Sequence, residues 1–305
     1  VREFFVKRES HRLPLFFRLY IFRFSPAILR IMNYPFGKNI LITGASSGIG
    51  HSCAILFASK GYHVWGVARK ANGLLEKAGI RFHTLDVTDA DAVKTVIANI
   101  DEEAVASDGH HLSIVLDCAG NGITGSVEAV PLQMVRAQME VNFFGTISVN
   151  QTVLPYLKRE PSSLVLMISS VAGRICVPFQ GHYSCSKFAL EAYGEALRME
   201  TRGTGIHVAM VEPGDTSTGF TKNRIIAEPE DSPYRDKVLK TTEKIAHDET
   251  NGAKAEQVAK TVFRIASHRH VPVRRAVGFV SKAELALIRF LPSSWIDHLV
   301  GNLYL

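Results

Sequence analysis

The run Asn39-Ile40-Leu41-Ile42-Thr43-Gly44-Ala45-Ser46-Ser47-Gly48-Ile49-Gly50 constrains the fold of this chain most. Ile40 to Ile42 read as a buried strand, and the segment after Gly50, with Cys53, Ala54, Ile55, Leu56 and Phe57, reads as a helix. Glycines between a strand and a helix let the backbone approach a phosphate closely. The N–H groups and dipole at the helix start then favour an anion. The spacing Gly-x-x-x-Gly-x-Gly alone also describes an ordinary tight turn. Strand, glycines and helix in that order point to a nucleotide site, and so to an α/β fold with a doubly wound parallel sheet.

A second strand is expected over Tyr62-His63-Val64-Trp65-Gly66-Val67-Ala68, followed by Arg69-Lys70. NAD-selective dinucleotide folds place an acid at this strand end for the ribose 2′-hydroxyl, whereas an Arg accommodates the 2′-phosphate of NADP. Ala68 holds the acid's place, so NADP(H) is favoured over NAD(H), with a merely solvated pair of charges as the other reading. A third strand runs from Arg81 towards Asp89. Asp86 at its end is either an acceptor for an adenine amino group or a helix cap, a role open also to Thr88 and Asp89. No metal is expected, because the closest histidine pairs, His110-His111 and His268 with His270, lack a nearby third ligand.

Tyr183 and Lys187 stand four residues apart, which places them on one face of a helix. A free phenol titrates near pH ~10, and a neighbouring cation favours the phenolate. The pair reads as a general acid/base that moves a proton on or off a small oxygen. Tyr-x-x-x-Lys also arises by chance on charged surface helices.

Together these residues resemble the short-chain dehydrogenase/reductases from about Lys38 to about Gly219. Thr43 to Gly50 is similar to that family's cofactor loop, with Thr43, Gly44, Ser46, Ser47, Gly48, Ile49 and Gly50 as contacts, and Asp86-Val87 to its adenine-contacting pair. Asp117-Cys118-Ala119-Gly120 occupies the place of Asn-Asn-Ala-Gly, with both asparagines changed; Ala119 and Gly120 are implied cofactor contacts. The resemblance implies a catalytic tetrad of Asn142, Ser170, Tyr183 and Lys187. Asn142 would hold a relay water near the lysine, and Ser170 is chosen over Ser169 by its spacing to Tyr183. Pro213, Gly214 and Thr216 match the turn that touches the nicotinamide. Chemically, hydride transfer to a ketone builds negative charge on oxygen, which needs donors already aimed at it. Ser170 supplies one hydroxyl, Tyr183 another together with the proton, and Lys187 holds the phenolate and the nicotinamide ribose.

The 305 residues alternate strand and helix signals without a break, so one domain is expected over 37–270, with a substrate lid at about 216–248 that reads as polar and loop-like at first. Residues 1–36 form a basic, aromatic extension and 271–305 an apolar one, with Leu285, Leu287, Phe290, Trp295 and Leu299 among its side chains. That tail resembles the extension of the steroid- and retinol-dehydrogenase-like subgroup and suggests a lipid-like substrate, or else packing on the core or a second subunit. Arg18 and Arg23 interrupt the N-terminal run too often for a spanning helix or a secretory signal. Residues 12–31 therefore read either as a surface helix in peripheral contact with a membrane or as an extension upstream of a native start near Met32.

The formal charge of +6 is scattered and accompanies no recognition motif, which argues against nucleic-acid binding. Cys53, Cys118, Cys176 and Cys185 show no Cys-x-x-Cys or zinc spacing and fit buried thiols in a reducing compartment, so a cytoplasmic location is expected. The reading is an NADP(H)-dependent oxidoreductase of a small-molecule alcohol or ketone, and the family implies a homodimer or homotetramer. The alternatives are an NAD(H)-dependent dehydrogenase of a small polar alcohol and a non-catalytic nucleotide sensor on the same fold.

Overall fold

Successive apolar residues in one strand point to opposite faces of a sheet, so a strand that is apolar throughout needs cover on both sides. The computed structural model describes residues 36–71, 73–268 and 270–305. At its centre is a parallel seven-stranded sheet. Its strands are β1 (Asn39–Thr43), β2 (His63–Ala68), β3 (Arg81–Thr84), β4 (Ile114–Asp117), β5 (Ser163–Ile168), β6 (Ile206–Pro213) and β7 (Arg274–Val277). Their spatial order is β7-β6-β5-β4-β1-β2-β3. The order reverses between β1 and β4, and in such sheets ligands bind outside the carboxyl ends of the strands at that point.

On one face Ile40, Ile42, Ile114, Leu116, Leu164 and Leu166 pack against Cys53, Ala54 and Phe57 of the helix Gly48–Ser59 and Val258, Val262 and Ile265 of Ala255–Ser267. On the other, Leu41, Val115, Val165, Met167 and Met210 meet Val93, Ile97 and Ile100 of Ala90–Asp108, Val149 and Val153 of Gly145–Leu157, and Leu190 and Leu197 of Gly181–Glu200. Each fully buried aliphatic side chain contributes about 1.5–3 kcal/mol. The helix Ala90–Asp108 is stopped at both ends by its sequence. Asp89 accepts from the Asp91 and Ala92 amides at 3.2 and 3.0 Å, and Gly109 closes the far end with φ 81°. Asp89 is thus the cap, and Asp86 lies just beyond β3.

Two expectations change. Arg274–Val277, assigned from sequence to the C-terminal extension 271–305, pairs with β6 as the last strand of the sheet. In the lid region a helix follows the loop-like stretch that ends at Pro233 and fills Arg235–Asn251, burying Val238, Thr241 and Ile245. Of the four thiols only Cys53 is buried, and Cys176 and Cys185 are exposed. The apolar tail forms helices Phe279–Leu287 and Ser293–Tyr304 that leave Phe279, Phe290 and Trp295 at the surface. The N-terminal extension 1–36, including the segment 12–31, lies outside the described residues apart from Phe36, which is buried in the core. Among the described residues no helix is long and apolar enough to cross a membrane.

Candidate active site

Thr43 ends β1 and is buried, so its hydroxyl has no solvent partner; Oγ1 accepts from the Cys118 and Ala119 amides at 3.0 and 3.1 Å. This bond ties the glycine loop to the end of β4. Gly44 follows with φ 65°, a conformation that suits glycine. A Cβ on Gly50 would lie 2.4 Å from the Gly44 carbonyl oxygen, so the helix start can close on the strand end only without a side chain there. Gly44, Ser46, Ser47, Gly48, Ile49 and Gly50 then line a cavity of about 900 Å³. The first turn of the helix Gly48–Ser59 holds no acid that would compete with an anion.

The same cavity continues past Ala68, Arg69 and Lys70, with no carboxylate at the β2 end, and past Asp86 and Val87. Asp86 Oδ1 accepts from the Thr88 amide at 3.0 Å and its hydroxyl at 2.8 Å, which fixes the carboxylate in its turn. Ala119 and Gly120 after β4, and Pro213, Gly214 and Thr216 after β6, complete that wall. Thr216 Oγ1 donates to the Gly214 carbonyl at 2.8 Å and holds the turn.

Ser170, Tyr183 and Lys187 line the same cavity. Ser170 follows β5, and its Oγ accepts from the Ala172 amide at 3.1 Å. Its neighbour Ser169 is buried instead. Lys187 Nζ donates to the Ile168 carbonyl at 2.9 Å and lies 5.9 Å from the Tyr183 ring centre. Burial pushes Lys187 down to about 8, with Cys118 and Glu191 pulling it back up. Burial also pushes Tyr183 up to about 12, against the opposing hydrogen bond of Ser170. The sequence suggested a phenol lowered by the ammonium. The lysine points its charge at a backbone carbonyl, so burial prevails and Tyr183 is a protonated acid at neutral pH.

Asn142 does not line the cavity. It sits in a π-helical turn, Glu140–Phe144, and is fully buried. Its Oδ1 accepts from the Asn121 amide at 2.8 Å, while Nδ2 donates to the Asn121 carbonyl at 3.0 Å and to Ser186 Oγ at 3.1 Å. Asn142 therefore pins the backbone after Gly120 to the helix of Tyr183. Among the described residues no group of three or more His, Cys, Asp or Glu could hold a metal ion.

Asp117, where the resemblance expects an asparagine, ends β4 with 4% exposure. Oδ2 accepts from Asn150 Nδ2 at 2.9 Å, whereas Oδ1 and Asn150 Oδ1 have no partner. Burial pushes the carboxyl up to about 7, with the Asn150 bond opposing. An unfolded aspartate releases its proton near pH ~4. Between there and pH 7 the folded state keeps a proton that the unfolded chain has lost. Stability should therefore fall as pH rises through that window, by up to about 1.4 kcal/mol per unit, and level off above it. Asp117→Asn would give Asn150 Oδ1 a donor and remove the slope. Its Tm should exceed the wild type's at pH 8 more than at pH 5; equal differences at both would contradict this.

Sequence reasoning missed Phe220, Arg224, Glu249, Ser281, Glu284 and Tyr304, which also line the cavity. They come from the lid and the last two helices, and no local motif marks them.

The family described as short chain dehydrogenase matches residues 38–228. A probable short-chain type dehydrogenase/reductase, VdlC of Helicobacter pylori, is 38% identical over 85% of this chain and 95% of its own length. A 3-ketodihydrosphingosine reductase of Bacteroides thetaiotaomicron is 36% identical over 87% and 97%. A solved short-chain dehydrogenase from Streptomyces avermitilis shares the fold with a TM-score of 0.73 and 26% identity, over 87% of this chain and 98% of the other.

Proposed function

The chain belongs to the short-chain dehydrogenase family, an oxidoreductase of CH–OH or keto groups, and from that premise we propose an NADP(H)-dependent enzyme acting on a secondary alcohol or ketone of lipid-like character. One observation carries this reading: Tyr183, Ser170 and Lys187 share a cavity with the loop Gly44 to Gly50.

The residues fit a dinucleotide. The side-chain-free approach of Gly50 to Gly44 leaves backbone amides to meet phosphates. Gly44, Ser46, Ser47, Gly48, Ile49 and Gly50 would hold the pyrophosphate, Arg69 the 2′-phosphate, and Asp86 and Val87 the adenine. Ala119 and Gly120 would border the riboses, and Pro213, Gly214 and Thr216 the nicotinamide. When bound, the nicotinamide supplies or accepts the hydride.

The chain's own residues handle the oxygen. Tyr183 is protonated at neutral pH and can give its proton to a carbonyl oxygen as charge builds there. Ser170 adds a second donor at the same place, and such preorganised donors stabilise the developing oxyanion. Lys187, with its pKa lowered to about 8, can change protonation near neutral pH and so refill the phenol or steady the phenolate. Asn142 keeps this wall in place through Asn121 and Ser186.

Support for an apolar substrate comes from Val141, Val171, Val177, Phe220, Ile225 and Ile245 on the cavity wall. The Bacteroides relative is named for a 3-ketodihydrosphingosine, and we carry that lipid character across. Phe144 and Phe188, 49% and 41% exposed beside the helices of Asn142 and Tyr183, favour subunit pairing on those faces.

A series of alkyl ketones of increasing length, each assayed with NADPH and with NADH, tests the reading. Each methylene that enters the cavity contributes about 0.8 kcal/mol, so kcat/KM should rise about fourfold per carbon until the site is full. NADPH should outperform NADH throughout. Flat or falling values would make the substrate something small, and a preference for NADH would overturn the cofactor assignment.

A further inference from the structure

Gln180 borders the active-site cavity and is buried, with 7% exposure. It stands at the N-cap of the helix Gly181–Glu200, yet its side chain caps nothing and hydrogen-bonds no described residue. Gln138 Oε1 is also unpartnered but is sealed from solvent, whereas neither carboxamide atom of Gln180 is sealed. A side chain this covered, on a cavity wall, keeps such access through the cavity. Buried amides are normally paired, so a free one at a cavity wall marks a place for a ligand group.

The backbone holds Gln180 firmly at this place. Its amide donates to the Val177 carbonyl at 3.1 Å, and its carbonyl accepts from the Ser184 amide at 2.8 Å. Phe179, just before it, has φ 59° and is the one non-glycine among the described residues in the left-handed region. The Phe179 carbonyl accepts from the Gly125 amide at 2.9 Å, and the Val177 amide donates to Ser184 Oγ at 3.4 Å. Strained backbone persists only where its surroundings over-determine it, and it gathers at ligand clamps. A turn that served only to start a helix would need no strained residue, and Ser, Thr, Asp or Asn would cap it better than glutamine.

The chemistry of the side chain says what it would meet. Gln180 stands three residues before Tyr183, and both line the cavity together with the apolar Val171, Val177 and Ile225. A carboxamide donates from Nε2 and accepts at Oε1, and a hydroxyl answers both because it gives one hydrogen bond and accepts others. An ion would find no opposite charge on the carboxamide to offset its lost hydration.

We propose that Gln180 is a specificity-determining residue: its carboxamide hydrogen-bonds a hydroxyl of the substrate while Tyr183 and Ser170 take the reacting oxygen. The substrate class is then a keto-alcohol with an apolar chain. This inference deepens the reading of the cavity as a ketone-reducing site and rests on it.

The test uses the full chain with NADPH, a plain alkyl ketone, and ketones of the same length with a hydroxyl on successive carbons from the carbonyl. In wild type kcat/KM for the best hydroxyketone should exceed that for the plain ketone by about 5–100-fold, the range that separates a satisfied buried amide from an unsatisfied one. Gln180→Met keeps the length of the side chain and loses the amide, and Gln180→Leu removes the amide with a different shape. In both the ratio should fall towards one while the plain ketone is reduced at least as well as by wild type. Neither substitution removes a hydrogen bond from the fold. Tm and NADPH affinity, by fluorescence titration, accompany each variant, so that a folding defect in one leaves the other to decide. A wild type indifferent to every hydroxyl position overturns the assignment, and so does a ratio that survives in a folded variant. Equal loss of turnover on plain ketone and hydroxyketone, or failure of both variants to fold, would make Gln180 structural and overturns it too. Where wild type reduces the plain ketone, these outcomes defeat this inference alone; reduction of none of the series, with either cofactor, defeats the ketone-reducing reading and this inference with it.

Discussion

Tyr183→Phe is expected to lower turnover by about 10²–10⁴-fold while NADPH binding changes little. The substitution removes one oxygen and keeps the ring, so the contact with Phe220 at 5.7 Å stays. Ser170 would still offer a hydrogen bond to the carbonyl but has no lysine behind it to restore a proton. The cofactor would keep its hold on the glycine loop and on Lys187. Steady-state kinetics on the best ketone, with a fluorescence titration of NADPH, separates the two effects. Turnover near the wild-type rate would remove Tyr183 from the mechanism, and a parallel loss of NADPH binding would make its role structural.

Gly50→Ala should weaken NADPH by about 10–100-fold, the range that forced overpacking produces. The new methyl would lie 2.4 Å from the Gly44 carbonyl oxygen and 3.2 Å from that of Thr43. Both obstacles are backbone, so relief requires moving the loop that faces the cavity or the helix behind it. Gly301→Ala is the matched control, because a Cβ there meets nothing within 4 Å. It lies in the helix Ser293–Tyr304, where alanine is the better helix former. Unchanged NADPH affinity in Gly50→Ala would mean that the phosphates bind elsewhere.

The parallel sheet, the glycine turn and the Tyr183–Lys187 face were legible because each is written in neighbouring residues. Strand periodicity needs only Ile40 to Ile42, and a helical face needs only two positions four apart. The choice of Ser170 over Ser169 rested instead on the family's spacing to Tyr183; in the fold Ser170 lines the cavity and Ser169 is buried. What escaped depends on residues far apart in the chain. Arg224 gains its character from Glu249, 25 positions on, and Asp117 from Asn150, 33 positions on. The direction of the Tyr183 shift was misjudged for a related reason. Spacing put the ammonium on the right face but could not show that its reach ends at the Ile168 carbonyl. Arg274–Val277 was assigned to the tail because four residues with two arginines do not look like a strand until β6 stands beside them.

The strand order has a consequence for how the chain is made. β1 has β2 and β3 on one side and β4 to β7 on the other, and each later strand joins a strand already synthesised. As the chain emerges from the ribosome, the side of β1 that β4 will occupy stays open until residues 114–117 appear. Parallel pairings form slowly because each requires a crossover. The finished sheet ends on edge strands that carry arginines, Arg81 in β3 and Arg274 and Arg275 in β7, and charge on an edge discourages another sheet from adding to it. A chain cut short before Arg274 would instead end on β6, leaving the backbone of Met210, Val211, Glu212 and Pro213 open to pairing with another chain. The last strand thus serves as a seal, and incomplete chains are the ones exposed to aggregation.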